Sequence, residues 1–175
     1  MKATGIVRRI DDLGRIVIPK EIRRVLRIRE GDPIEIYTDE NGVTLKKYAR
    51  ISEIGDYAET YCQALCGALG FSAAVTDTET ILFAAGPLKK RLLGLPLSKT
   101  YVERIRSQQM LSTGDGYNLS DGIEPVLKLC AAPILSMGDL IGSVLIATDD
   151  ARLALGETET HIVKTAALYL GKQLE

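Results

Sequence analysis

A chain of 175 residues with 46% hydrophobic and 26% charged residues has the balance of an ordinary globular protein, built as one domain or two small ones. It has no run of about 18 apolar residues, which excludes a membrane-spanning helix, and the opening MKATGIVRRIDDLGR sets charge where a secretion signal needs its apolar stretch. The net charge of −1 hides a split. Residues 1–50 hold 12 Lys and Arg against 8 Asp and Glu, and residues 51–175 hold 10 against 15, so a head of +4 precedes a body of −5. Such asymmetry points to a polyanion as the partner of the head. Three cysteines, Cys62, Cys66 and Cys130, cannot all pair and read as reduced thiols of a cytoplasmic protein.

In the head, TGIVRRI and GRIVIP are β-branched runs predicted as strands, and DDLG between them suits a turn. Pro19 ends the second run. In KEIRRVLRI the period changes, since Ile22, Val25 and Leu26 fall three and four apart; this predicts a helix of about two turns, closed by Gly31 and Pro33. PIEIYT, DENG and VTLKKY then predict a hairpin turning at the Asn-Gly step.

Fewer than 50 residues with one short helix bury little apolar area. Ile16, Val17 and Ile18 are consecutive and therefore face both sides of a strand, which needs cover on both sides. A second copy of the head is expected to supply it. Lys20, Arg24 and Arg27 form a basic stripe that Arg23 broadens, while Arg8, Arg9 and Arg15 lie near the first turn. In a dimer each group occurs twice about a two-fold axis, matching the pseudo-symmetry of duplex DNA. The plainer alternative is a solvated surface with local ion pairs to Glu21, Asp11 and Asp12.

The segment from Met1 to Tyr48, and GRIVIPKEIRR above all, resembles the AbrB-type swapped-hairpin DNA-binding domain of bacterial transition-state regulators. The resemblance implies a dimeric, mainly β barrel over residues 1–50, with Arg8, Arg15, Arg23 and Arg24 on DNA, Arg9 beside them and Lys2 helping.

In the body, ISEIGDYAETYCQALCGALG is predicted as a helix with Ser52 as N-cap, an apolar stripe of Ile54, Tyr57, Tyr61, Ala64 and Ala68, and Gly70 as its end. SAAVTDTETILFAAG reads as two strands around DTET, and LSKTYVERIRSQQ as a helix starting near Ser98. LKLCAAPILSMGDLIGSVLIATDD is an apolar hairpin in mid-sheet. ETETHIVKTAALYLGKQL closes the chain as a helix burying Ile162, Val163, Ala166, Leu170 and Leu174.

Helix, strand pair, helix, strand pair, helix is an α+β domain with one antiparallel sheet. Its order resembles a GAF domain over residues 51–175. Head and body together resemble the stage V sporulation protein T group of transcription regulators. That resemblance implies a homodimer through the heads, a homotetramer through the first and last body helices, and action at the nucleoid, in the forespore.

A small-molecule ligand of the body is one further expectation, with STGDGYNLSDGIEP as its lid; a packed body serving assembly alone is the other. Cys62 and Cys66 share a helical face, but the only histidine, His161, is remote in sequence, so no metal is expected. Asp11 and Asp12 read as turn residues. No phosphate-binding loop or nucleophile elbow occurs, and neither a catalytic residue nor a cofactor is expected. The first reading is thus a regulator that binds double-stranded DNA without touching membranes. A second is the antitoxin of a toxin–antitoxin module, whose toxin-binding segments are short and disordered, unlike this body.

Overall fold

The structure, a computed structural model, describes residues 5–26, 28, 30–31, 34–40, 42–48, 51 and 54–174, and the side chains of 46 and 47 are not among them. The chain divides into two compact units, Met1–Tyr48 and Ala49–Glu175.

Among its described residues the first unit holds one helix and one hairpin. Pro19, with φ −57°, leads directly into α1 (Lys20–Val25), since proline presets the backbone of a helix entry and its missing N–H costs nothing there. β1 (Ile34–Asp39) pairs antiparallel with β2 (Gly42–Lys47). Gly42 is already paired with Asp39, so the connection lies one residue earlier than the Asn-Gly step predicts. The observed register sets Ile36 opposite Leu45; turning at Asn-Gly would shift the pairing and break that apolar pair.

Residues 5–19 form no strand, contrary to the two predicted there. A strand needs a continuous ladder of backbone hydrogen bonds, and among the described residues no strand pairs with this stretch. Its side chains lack cover as well. Val7 is 87% exposed and Val17 73% exposed. Pro19 is the one buried residue among those described in the unit.

The second unit is built on a five-stranded antiparallel sheet in the order β4-β3-β7-β6-β5. Its elements are α2 (Gly55–Leu69), β3 (Ser72–Thr76), β4 (Ile81–Ala85), α3 (Lys89–Leu92), α4 (Lys99–Arg106), β5 (Leu111–Thr113), β6 (Lys128–Ser136), β7 (Asp139–Thr148) and α5 (Glu157–Lys172). β6 and β7 are joined by Met137 and Gly138, both at positive φ (50° and 89°), the two-residue turn whose twist matches the strands.

Side chains alternate across this sheet. Val75, Cys130, Ala132, Ile134, Val144 and Ile146 face α2 and α5, where Leu65, Val163 and Leu170 complete one core. Ala74, Leu129, Ala131, Leu145 and Ala147 face the other way, under Leu92, Tyr101 and Ile105. α5 lies close on the sheet because residue 171 is glycine: a Cβ there would overlap the Leu135 carbonyl oxygen.

In α2 the buried stripe is Ile54, Ala58, Cys62 and Leu65. This corrects the predicted face. Tyr57, Ala64 and Ala68 are exposed and Tyr61 half-buried, so the helix carries two apolar stripes of which the body covers one. Ile54 flanks its start, and the predicted cap Ser52 lies outside the described residues.

Candidate nucleic-acid interface

The head's first turn is organised by one side chain. Gly14 N–H donates to the Asp11 carbonyl at 3.0 Å and Asp11 N–H to the Arg15 carbonyl at 3.1 Å, with Gly14 at φ 76°. A tight turn followed by a left-handed glycine is hairpin geometry, although among the described residues its arms are not assigned to strands. Asp11 fixes the turn further. Its Oδ1 accepts from Leu13 N–H at 3.1 Å and Arg15 N–H at 2.8 Å, while Oδ2 takes Arg15 Nε at 2.8 Å. The Arg15 backbone N–H first, and its guanidinium second, hold the Asp11 carboxyl below its ordinary range.

Of the basic residues picked out by sequence, Arg8, Arg9, Lys20, Arg23 and Arg24 are exposed. Arg23 and Arg24 occupy the last turn of α1, where the helix dipole favours cations. Among the described residues, Arg8, Arg9, Arg23 and Arg24 form no ion pair, so the local pairs of the plainer alternative are limited to Asp11 with Arg15. Lys2 and Arg27 lie outside the described residues. Arg8 borders an open apolar trough of about 300 Å³ lined by Ile6, Ile16, Val17, Ile22 and Leu45. Arg8, without an ion pair among the described residues, therefore adjoins apolar side chains that stand exposed.

The body offers a different kind of surface. Tyr61 of α2 stacks on Tyr169 of α5, with ring centroids 5.4 Å apart and planes at 24°. With Asp56, Tyr57, Thr60 and Ala64 they border an open hollow of about 340 Å³. Tyr57 and Leu168 are 57% and 61% exposed, which leaves this helical face without a partner in the single chain. The Tyr61–Tyr169 pair was not foreseen from sequence; the two positions are far apart in the chain and only the fold joins them.

The predicted lid is anchored. Leu119, Ser120 and Val126 are fully buried, Tyr117 and Val126 bridge, and Ser98 Oγ donates to the Asn118 carbonyl at 2.7 Å. Inside this wall a hydroxyl chain crosses the core. Tyr101 and Ser143 hydroxyls are 2.8 Å apart, Ser143 and Thr76 hydroxyls 2.7 Å, and Thr76 Oγ1 donates to the Asp77 carbonyl at 2.7 Å. Thr76 spends its one hydrogen on Asp77. Ser143 must therefore donate to Thr76, and Tyr101 to Ser143. Burial raises the Tyr101 pKa above the tyrosine range.

Among the described residues no group of three or more His, Cys, Asp or Glu is placed to hold a metal ion. Burial pushes the Cys62 thiol up to about 12 and raises Cys130 as well. His161 is exposed on α5. No helix among the described residues is long and apolar enough to cross a membrane.

Comparison with known proteins places both units. The body shares its fold with the GAF domain of a phosphoenolpyruvate-protein phosphotransferase from Acinetobacter (TM-score 0.57, 9% identity, 71% of this chain and 87% of that one). The corresponding domain from Coxiella burnetii gives a TM-score of 0.55 at 16% identity, over 71% of this chain and 90% of that one. Residues 7–53 match the family model described as antidote-toxin recognition MazE, bacterial antitoxin. Over 48 residues the head is 60% identical to the transition state regulatory protein AbrB of Bacillus subtilis, covering 27% of this chain and 50% of that protein.

An AbrB-type head on a GAF-type body is the build of a bacterial transcription regulator. Residues 53–175 match the model described as stage V sporulation protein T C-terminal, transcription factor. The Bacillus subtilis stage V sporulation protein T is 47% identical over 179 aligned residues, 100% of this chain and 99% of the relative. The chain belongs to the stage V sporulation protein T family.

Proposed function

We propose that this protein regulates sporulation genes by binding duplex DNA with paired heads, and that Arg8, Arg9, Arg15, Arg23 and Arg24 of each copy, with Lys2, meet the duplex. One observation carries the reading: four exposed arginines without an ion pair among the described residues share a small unit with uncovered apolar side chains, and one of them, Arg8, borders the apolar trough. A second copy closing over Val7, Ile16, Val17 and Ile36 supplies the missing strand neighbours and buries that surface, which fixes the spacing of the cations. Phosphate neutralisation then provides most of the affinity, and base contacts with DNA deformability provide the choice of site.

The domains divide the work: the head to about residue 50 binds DNA, and the body from there onward assembles the protein. Two dimers join through the exposed stripes of α2 and α5, around Tyr57, Tyr61, Leu168 and Tyr169, into a tetramer. The anchored segment 112–125, with Leu119 and Ser120 fully buried, favours assembly over a mobile lid for a ligand. No catalytic role is assigned, and the proposed place of action is the cytoplasm, at the nucleoid of the forespore. An antitoxin reading draws on the head's match alone; it is disfavoured by a body that folds as a closed domain rather than as a toxin-binding tail.

Gel retardation of the full chain on genomic duplex fragments tests this reading. The wild type is expected to bind with an even number of chains per complex. Arg24→Ala should weaken retention at least tenfold while assembly is unchanged, because one charged contact is lost twice per dimer. Equal retention of wild type and Arg24→Ala would overturn the assignment.

A further inference from the structure

The contact between Asp11 and Arg15 is at odds with an arginine that clamps phosphate. A carboxylate whose Oδ2 lies 2.8 Å from the Arg15 Nε cancels the charge that a phosphate would feel, and it would itself be repelled by the DNA backbone. Among the described residues, Arg8, Arg9, Arg23 and Arg24 carry no such partner. The geometry suits another task. Asp11 is fixed by two backbone N–H groups, from Leu13 and Arg15, so its carboxylate is a rigid platform. It takes only the Nε edge of the guanidinium. Among the described residues, Nη1 and Nη2 of Arg15 meet no acceptor, and the side chain is 70% exposed.

We propose that Asp11 is a positioning residue that aims Arg15 at a guanine, making Arg15 the base-reading arginine of the head while Arg8, Arg9, Arg23 and Arg24 serve the backbone. This rests on the DNA-binding reading above and deepens it. The planar fork of Arg15 presents two parallel donors, which fit the O6 and N7 acceptors on the major-groove edge of guanine. With its Nε tied down, the side chain gives up less rotamer freedom on binding, so the contact gains in selectivity without adding net charge. A two-fold head would hold two such pairs and read one guanine in each half-site.

The experiment uses full-length protein and a duplex recovered by the wild type from a random 30-base-pair pool, alongside an unselected duplex of the same length. Asp11→Asn keeps an oxygen for the Leu13 and Arg15 N–H groups but removes the charge, and circular dichroism with sedimentation checks that fold and assembly persist. On the selected duplex its affinity is expected to fall by roughly tenfold, within the range of a bidentate arginine–guanine contact. On the unselected duplex its affinity stays the same or rises. Replacing single guanines by 7-deazaguanine, which lacks the N7 acceptor, should weaken the wild type at one position per half-site and leave Asp11→Asn indifferent there. Arg15→Lys should lose the same discrimination with an unchanged salt dependence.

If Asp11→Asn instead tightens binding to both duplexes equally, Asp11 is only a masking counter-ion and the proposal falls. It falls too if the 7-deazaguanine penalty survives in Asp11→Asn. A wild type that retains no duplex at low salt overturns the DNA-binding reading itself, an outcome distinct from either of these.

Discussion

Cutting the hydroxyl chain through the second face of the sheet at its middle should cost more than cutting it at its end. Tyr101→Phe removes the terminal donor; Ser143 keeps its bond to Thr76 and loses only an incoming one, for about 1 kcal/mol. Ser143→Ala strands the Tyr101 hydroxyl and takes the incoming bond from Thr76, which keeps its own bond to the Asp77 carbonyl; both side chains are fully buried. An orphaned buried hydroxyl costs about 1–3 kcal/mol, and Thr76 also loses its donor, so about 3 kcal/mol is expected. In the double variant no tyrosine hydroxyl remains to be stranded, and the loss should return to about 2 kcal/mol, a coupling of about −2 kcal/mol.

Urea unfolding followed at 222 nm, where α2 and α5 dominate the body's signal, gives these differences as midpoint shifts at constant slope. There is a pH signature as well. Burial raises the Tyr101 pKa, so its contribution is complete below the ordinary tyrosine range near 10 and is lost as pH climbs toward the raised value; Tyr101→Phe should flatten that alkaline limb. Strictly additive losses, or a Ser143→Ala no worse than Tyr101→Phe, would refute the directed chain and reopen this face as a hydrated site.

Helix propensity alone makes Gly171→Ala stabilising by about 1 kcal/mol, yet its Cβ would overlap the Leu135 carbonyl, so a net loss of about 1–3 kcal/mol is expected in the same urea assay. Gly67→Ala in α2, with nothing within 4 Å of its Cβ, should show the opposite sign. With its thiol pushed up to about 12, Cys62 is almost wholly protonated at pH 8; iodoacetamide should leave it unmodified in the folded protein and label it in urea, as peptide mass mapping would read out. Tyr169→Asp sets a charge on the Tyr61 stack and should halve the sedimenting mass at micromolar concentration without unfolding the body.

How far the fold could be read from sequence depends on where each segment's partners lie. β6 and β7 were legible because both sheet faces are covered, so their apolar runs are continuous, and Met137-Gly138 marks the turn between them. Ser98 announced α4, and its hydroxyl accepts from Tyr101 N–H. α3 and β5, of four and three residues, are too short to show a period.

The buried face of α2 was misread beyond Ile54 because Tyr57, Tyr61, Ala64 and Ala68 also recur at helical spacing; the more apolar Ala58, Cys62 and Leu65 continue from Ile54 on the face that is covered. Strands at residues 5–19 were expected from β-branched content, and among the described residues no strand pairs with that stretch. At the candidate site, clustered charge identified the arginines. Asp11 was legible as a turn residue, but its hold on Arg15, four positions on, emerged only once the turn closed and brought the two side chains together.

Paired cationic heads that grip phosphates are the centre of the proposed function. Fluorescence anisotropy of the full chain on a 30-base-pair duplex, between 50 and 200 mM salt, tests this most directly. With Arg8, Arg9, Arg23 and Arg24 contributed by two copies at about 0.9 per phosphate, the log–log slope of affinity against salt should fall between about −4 and −7. A slope shallower than about −1, or no binding at the lowest salt, would contradict it.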